Sequence, residues 1–290
     1  MRSIQGVDVF LLLSLASRLE SEGQYNLAKL CRAAADSTSR RAAWDLDRSG
    51  EKKPLGSEIE RMAAALHGVS AELVDALRTG ASAMAEGRLP LIHETPHPYV
   101  CRTCGHLTLA DAPEKCPICG AWGDTFQWFP PVYWLDALDS HAALDRLRQT
   151  PLDVAALLEG LTEETMTRQP PDGGWAIRNI IAHLLDAQGV IAARLDQFLI
   201  EDDPILESKA VFAWAKDEAS RPPTTREIFA AYHASRLEMI SHFQAIPFDD
   251  WRRAGRHEEF GVVSIKQQMS YFAVHELTHL PQIERLAGRH

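Results

Sequence analysis

Apolar residues recur at helical spacing through most of the chain. Val7, Phe10, Leu11, Leu15 and Leu19 fall on one stripe, which Gly23 ends. Leu27, Leu30, Cys31 and Ala34 share a face of a second, Ala-rich helix from 25 to about 44. Residues 49–56 have the composition of a loop. Two shorter helices fit 58–67 and 71 to about 86. A linker bearing Pro and His follows at 89–98, where His93 and His97 read as solvated.

Helical spacing returns after residue 144. A first helix fits 153–159, with Gly160 as its stop, and a short piece fits 161–169. The loop 170–174 delivers Trp175 to a helix whose apolar face holds Ile180, Ile181, Leu184 and Ala187. Ala176 and Asn179 stand where a capping box has Ser and Glu, so the cap is lost at about 1 kcal/mol. Residues 201–223 read as a long loop with some helix. Thr224 and Glu227 open a helix with Ile228, Phe229, Tyr232, Met239, Ile240 and Phe243 inward, and His233 and His242 on the surface. Residues 251–263 read as a polar loop. Ser264 and Gln267 open a last helix that reaches Leu286 before Gly288. Pro281 lacks an N–H and crowds the Leu277 carbonyl, which predicts a kink just after His279.

A length of 290 residues suggests two or three domains, and 46% hydrophobic residues allow a sizeable core. The net charge is −10 with no basic run, which argues against nucleic acid as a partner. No apolar run approaches the roughly 20 residues that span a bilayer. Asp8, Arg18 and Glu20 flank the apolar run 9–16 and argue against a signal peptide, so the expected compartment is the cytoplasm. Four of five cysteines form CxxC pairs, a usage that suits metal binding better than disulfides.

Those pairs are Cys101/Cys104 and Cys116/Cys119, at a separation that suits one tetrahedral sulfur site. Gly105 and Gly120 each follow a second cysteine and tolerate the turn that aims backbone N–H groups at sulfur. Thiolates alone do not choose between zinc and iron. A zinc ribbon that only holds the module together and a one-electron iron site both remain open. The run Glu114-Lys-Cys-Pro-Ile-Cys-Gly-Ala121 resembles the rubredoxin-like domain at the rubrerythrin C-terminus, over residues 99–126. A rubrerythrin di-iron bundle would need Glu-x-x-His motifs upstream, and none occurs there. The first helices therefore read as a packing or dimerisation domain, with Cys31 as a small apolar residue. The Pro- and aromatic-rich residues 128–134 read as an extended arm packed on a neighbour.

The last helix carries His275-Glu-Leu-Thr-His279, the HExxH pattern of zinc proteases. Two residues four apart differ by roughly 40° around the axis, so both imidazoles can address one ion. A catalytic site needs a third protein ligand. Arg285 stands where one protease class has His, and Glu284 is rotated away from the pair. The third ligand must come from upstream, and His183 is the best candidate.

A wider pattern surrounds these histidines. It comprises Trp175, His183-Leu-Leu-Asp186-Ala-Gln188, Glu201-Asp-Asp-Pro204, Trp214-Ala, Gly255-Arg-His-Glu-Glu-Phe-Gly261 and Val274-His-Glu-Leu-Thr-His-Leu-Pro-Gln-Ile283. Over 144–286 it resembles the DinB-like, or YfiT-like, metal-binding four-helix bundles. The resemblance implies a metal triad of His183, His275 and His279 holding a divalent ion such as Zn, Ni or Fe. Relatives include thiol-dependent transferases and an isomerase. Three neutral imidazoles leave the ion's charge uncancelled and a position open, which suits activation of water or a thiol. Glu276 is a candidate base or outer-sphere ligand, and a purely structural Glu fits as well. Asp186 is a candidate outer-sphere group, and Trp175 a pocket wall or a core residue.

The expected fold is mainly α. It has a helical segment at 1–90, a rubredoxin-like ribbon at 97–128, an arm at 129–143 and a four-helix bundle at 144–290. The expected function is a mononuclear divalent-metal enzyme, transferase- or hydrolase-like, acting on a small thiol or electrophile. The alternatives are a rubredoxin-type electron-transfer or sensing protein, with Zn or Fe at the four cysteines, and a non-catalytic assembly module. No membrane association is expected. The first helices look too few and too Ala-rich to cover their apolar faces, so a homodimer through 1–88 is expected.

Overall fold

The computed structural model describes residues 8–49, 54–171, 173–208 and 223–289. The chain divides into two units. One takes in residues 1–81, 100–108 and 112–127, and the other 82–99, 109–111 and 128–290. No helix among the described residues is long and apolar enough to cross a membrane.

The first unit opens with α1 (Val9–Ser21), α2 (Tyr25–Ser49) and α3 (Leu55–Leu66), followed by α4 (Ala71–Ala85). Asp8 caps α1 by accepting from the Phe10 and Leu11 N–H groups. Gly23, at φ +76°, turns the chain into α2. The stripe read from the sequence does not line the interior of this hairpin. Ala16, Ala28 and Ala35 are buried, while Phe10, Leu11, Leu15, Leu27 and Leu30 are exposed. Short side chains let two helices approach closely, so Ala fills the seam and the larger residues face out. A bidentate pair at 2.7 Å joins Arg32 to Glu20 across the hairpin. Cys31 is half-buried. Val7 and residues 50–53 of the expected loop lie outside the described residues.

The ribbon contributes β1 (Pro98–Cys101), β2 (Leu107–Leu109) and β3 (Phe126–Trp128), in the order β2-β1-β3. The expected linker is partly packed. The Ile92 N–H donates to the Glu258 carbonyl at 2.8 Å. His93 is exposed, whereas His97 is half-buried and meets Trp128 edge-on at 5.5 Å between ring centres.

The second unit is built on α5 (Ser140–Leu158), α6 (Glu163–Thr167), α7 (Ile177–Ile200), α8 (Thr225–Ala245) and α9 (Ile265–Leu286). Helix α5 starts at Ser140 and not at 153. The Asp139 carboxylate caps it by accepting from the His141 and Ala142 N–H groups at 2.9 Å. Pro151 sits inside the helix, and the Leu147 carbonyl it leaves without an N–H accepts from Arg236 at 2.8 Å. The residues before α5 are strapped to α9, because Ser270 Oγ donates to the Trp134 carbonyl and accepts from the Leu138 N–H.

Among the described residues, two apolar cores fill the bundle. One joins the first half of α5 and α9 to the second half of α7 and α8, through residues such as Leu147, Ile191, Met239 and Phe272. The other joins the opposite halves through Val154, Ile181, Tyr232 and Ile283. Helices α5 and α9 therefore run one way, and α7 and α8 the other. Between the cores in chain position lie the buried polar residues Arg236 and Glu276, and the buried Gln188 sits close to the same boundary on α7.

The start of α7 keeps half of a capping box, because the Ala176 N–H donates to Asn179 Oδ1 at 3.1 Å. Both expected boxes, Thr224/Glu227 and Ser264/Gln267, are present. His242 is exposed and His233 half-buried against Phe229. Helix α9 continues through Pro281 to Leu286. The expected polar loop holds a hairpin, β5 (Ala254–His257) against β6 (Gly261–Ser264), with β4 (Ile205–Leu206) parallel to β5. Ala254 pairs with Ser264, and His257 with Gly261. Residue 172 and residues 209–222, Trp214 among them, lie outside the described residues.

Candidate metal centres

Two CxxC turns bring Cys101, Cys104, Cys116 and Cys119 together, with all four sulfurs within 4.8 Å of one another. Gly105 at φ +79° and Gly120 at φ +75° close the two turns. The Thr103 and Cys104 N–H groups reach the Cys101 sulfur, and those of Ile118 and Cys119 reach Cys116. His106 and Ala121 serve Cys104 and Cys119 in the same way. Burial pushes the Cys101 thiol up, but the hydrogen bonds outweigh it and bring the thiol down to about 7. Two of the sulfur separations are 3.7 Å, Cys101 to Cys119, and 3.6 Å, Cys104 to Cys116. Tetrahedral M–S bonds of about 2.3 Å place sulfurs about 3.8 Å apart, so the donor set fits such an ion.

The histidines converge from two distant helices. His183 on α7 is buried among Ile180, Ile181 and Leu184. His275 and His279 lie one turn apart on α9. Their Nε2 atoms are 3.3 Å apart, and His183 Nε2 lies 3.4 Å from that of His275. Zn–N bonds of about 2.0–2.1 Å in a tetrahedron place nitrogens about 3.3–3.4 Å apart. Burial holds His183 down at about 3, reinforced by any charge on His275 and His279. Burial, with His279 as a lesser cause, holds His275 at about 4. His279 is also lowered by burial, against a hydrogen bond to Gln282. All three are therefore neutral near pH 7. Three neutral imidazoles whose nitrogens converge in this way could hold a cation.

Aromatic rings wall the triad. Trp175 stacks on His279 at 6.5 Å and leans on His183 at 5.1 Å. Tyr271 stacks on His275 at 5.8 Å, and Trp134 on Tyr271 at 6.2 Å. A cleft of about 250 Å³ opens beside His279 and Trp175, with Gln282 and Arg285 in its lining. Gln282 Oε1 lies 3.0 Å from His279 Nδ1. An Nδ1–H donated there leaves Nε2 as the ligand atom.

Glu276 is not among the converging donors. It is fully buried, and its carboxylate accepts from Arg236 Nη1 at 3.0 Å, from Arg236 Nη2 and from Tyr232 Oη at 3.2 Å. A base already satisfied by a guanidinium and a phenol is poorly placed to take a proton from a substrate. Its expected role as base gives way to the structural alternative. Asp186 is half-buried one turn along α7 from His183. Trp175 is a wall of the cleft.

Sequence reasoning singled out neither Gln282 nor Tyr271 nor Arg236. The first two had a signal, being three residues after His279 and four before His275 on the same helix. Arg236 stands at an inward position of α8, four residues from both Tyr232 and Ile240, where a charge is out of pattern.

Residues 146–283 match the DinB superfamily, and residues 99–127 match the rubredoxin-like domain of rubrerythrin. A protein of Oceanobacillus iheyensis named "Putative metal-dependent hydrolase" is 24% identical over 156 residues, covering 54% of this chain and 85% of the relative. A protein of the same name from Geobacillus thermodenitrificans is 31% identical over 75 residues, covering 26% of this chain and 42% of the relative. The solved structure of YfiT from Bacillus subtilis aligns with a TM-score of 0.47 at 16% identity, covering 56% of this chain and 95% of that one. The chain is a metal-binding protein that joins a rubredoxin-like ribbon to a DinB-like four-helix bundle.

Proposed function

We propose that this chain is a metal-dependent enzyme whose working ion, Zn, Ni or Fe, is held by His183, His275 and His279. The observation that carries the reading is the convergence of three neutral Nε2 atoms beside an accessible cleft. When bound, the ion supplies Lewis acidity and an open coordination position. The chain's own groups do the rest. Gln282 orients the His279 ring. Trp175 and Tyr271 hold the imidazoles from either side and shed water from them. The cleft takes a small molecule, since about 250 Å³ lies below the usual size of sites for drug-sized ligands. A small thiol or electrophile fits that space, and the reaction is transfer or hydrolysis. The names of the relatives favour a hydrolase.

The test incubates the metal-loaded protein with activated esters and with alkylating electrophiles, the latter with and without cysteine. Conversion that requires the metal and disappears in His275→Ala supports the reading. Equal conversion by the wild type and His275→Ala rejects it.

The four cysteines hold Zn or Fe in a closed site. We assign the protein to the cytoplasm, whose reducing conditions suit its thiolates. We also propose a homodimer formed through α1 and α2. Phe10, at 83% exposure, and Leu11, at 67%, leave an apolar face that a second copy would cover. A monomer in sedimentation at high concentration would exclude it.

A further inference from the structure

The function proposed above makes no use of the buried Arg236 cluster, although it lies beside the histidines in the chain. Arg236 on α8 donates from Nη1 to the Leu147 carbonyl of α5 at 2.8 Å. It donates from Nε to Gln188 Oε1 of α7 at 2.5 Å. It donates from both Nη atoms to the Glu276 carboxylate of α9, and from Nη2 to Tyr232 Oη of its own helix. One side chain therefore bonds to each of the other three long helices. Only a planar fork with five donors serves partners in several directions at once. The Leu147 carbonyl is available because Pro151, four residues on, has no N–H to give it. Gln188 accepts from Arg236 while its Nε2 donates to the Tyr232 carbonyl at 3.1 Å, so its orientation is fixed as well.

Stability alone is a weak reason for this arrangement. Desolvating a buried ion pair costs enough that apolar residues of similar volume commonly stabilise as well or better. What the cluster adds is geometry. Glu276 directly follows His275, and Gln188 lies five residues after His183 on the same helix. Each residue of slip turns a helix by about 100° and shifts it about 1.5 Å, which is enough to separate the imidazoles.

We infer that Arg236 is a positioning residue for the three-histidine donor set, fixing the rotation and register of α7 and α9 through Gln188 and Glu276 and docking α5 through the Leu147 carbonyl. The inference rests on the reading of the triad as a metal site.

The test titrates cobalt(II) into the metal-free full chain, with the thiolate-rich ribbon as internal reference. The variant Arg236→Met/Glu276→Leu removes the pair without stranding a charge. It leaves the Leu147 carbonyl, Gln188 Oε1 and Tyr232 Oη without this donor, so it is expected to fold with a modestly lowered melting temperature. Its cobalt affinity at the histidines is expected to fall about tenfold or more, with altered d–d bands and unchanged ribbon bands. The variant Pro151→Ala restores an N–H that competes for the Leu147 carbonyl. It is expected to keep or raise the melting temperature and to weaken cobalt several-fold. Wild-type affinity and bands in a folded double variant overturn the inference. Where the double variant does not fold, the same result in Pro151→Ala overturns it. A wild type without any histidine-type band overturns the triad reading itself, and this inference with it.

Discussion

The two donor sets reach convergence by opposite routes. In the ribbon, four sulfurs come from 19 consecutive residues, and two glycine-closed turns do most of the positioning. In the bundle, His183 and His275 are separated by 92 positions and meet only because α7 and α9 pack in one register. The ribbon offers four sulfur donors, enough to surround an ion. The bundle supplies three, and one of them, His279, also lines the cleft. On the function proposed here, local chain geometry builds the closed site and tertiary packing the open one. The buried Arg236–Glu276 pair is the part of the bundle inferred to hold that register.

The largest expected effect separates the sites outright. Cys116→Ser should abolish ribbon metal and unfold the ribbon, since ligation of a structural zinc is worth on the order of 10 kcal/mol of folding. Metal analysis should show the histidine site still filled. Loss of both metals would mean that the sites are not independent. In the bundle, Glu276→Ala strands the Arg236 charge and should cost roughly 3–5 kcal/mol in urea unfolding, with ribbon absorbance unchanged. A change below about 1 kcal/mol would remove the pair from any account of the bundle.

Acid sharpens the contrast. The folded, metal-free bundle holds His183 near pKa 3, His275 near 4 and His279 below its usual value, whereas the unfolded chain titrates them near 6.5. The unfolded state therefore binds more protons below pH 6.5, and stability falls with pH there. At pH 5.5 the loss is about 1.4 kcal/mol for His183 and for His275, and His279 adds at most the same, so the three together lose at most about 4 kcal/mol. The slope fades through the unfolded histidine pKa, and above about pH 7.5 these residues should contribute almost none. A metal-free bundle that gains stability between pH 6.5 and 5.5 would contradict the burial of neutral imidazoles. The smallest effect belongs to Gln282→Ala, which should weaken metal at the triad by about tenfold and leave the ribbon metal untouched. Competition with a chromophoric chelator reads both.

The same difference in locality explains what the sequence revealed. The CxxC pairs, the capping boxes at Thr224 and Ser264, and the apolar faces of α7 and α9 are encoded within a few residues, so they were readable. His183 could be paired with HExxH only by elimination and resemblance, because nothing local links positions 92 apart. The reading of a helix over 153–159 omits its first part from Ser140, where Pro151 is tolerated because a donor far away in sequence, Arg236, serves the Leu147 carbonyl. The β5–β6 hairpin is short, and its Arg, His and Glu mask the alternation of a strand. In α1 and α2 the large apolar residues suggested the buried face, while the hairpin closes on alanines whose value as close-packing residues appears only when the partner helix is known. Glu276 invited a catalytic role through the motif it sits in, and its Arg236 partner changes that role.

Cobalt substitution tests the central claim most directly, because thiolate and imidazole sites give distinct visible bands. Small thiols and azide are added to the cobalt-loaded protein, and a chelator is then used to follow the release of each ion. An open three-histidine site predicts that thiol and azide shift only the imidazole-type bands and that this ion leaves first. If neither set of bands moves, or only the thiolate-rich set does, the triad is a closed structural site and the proposed enzyme has no place to act.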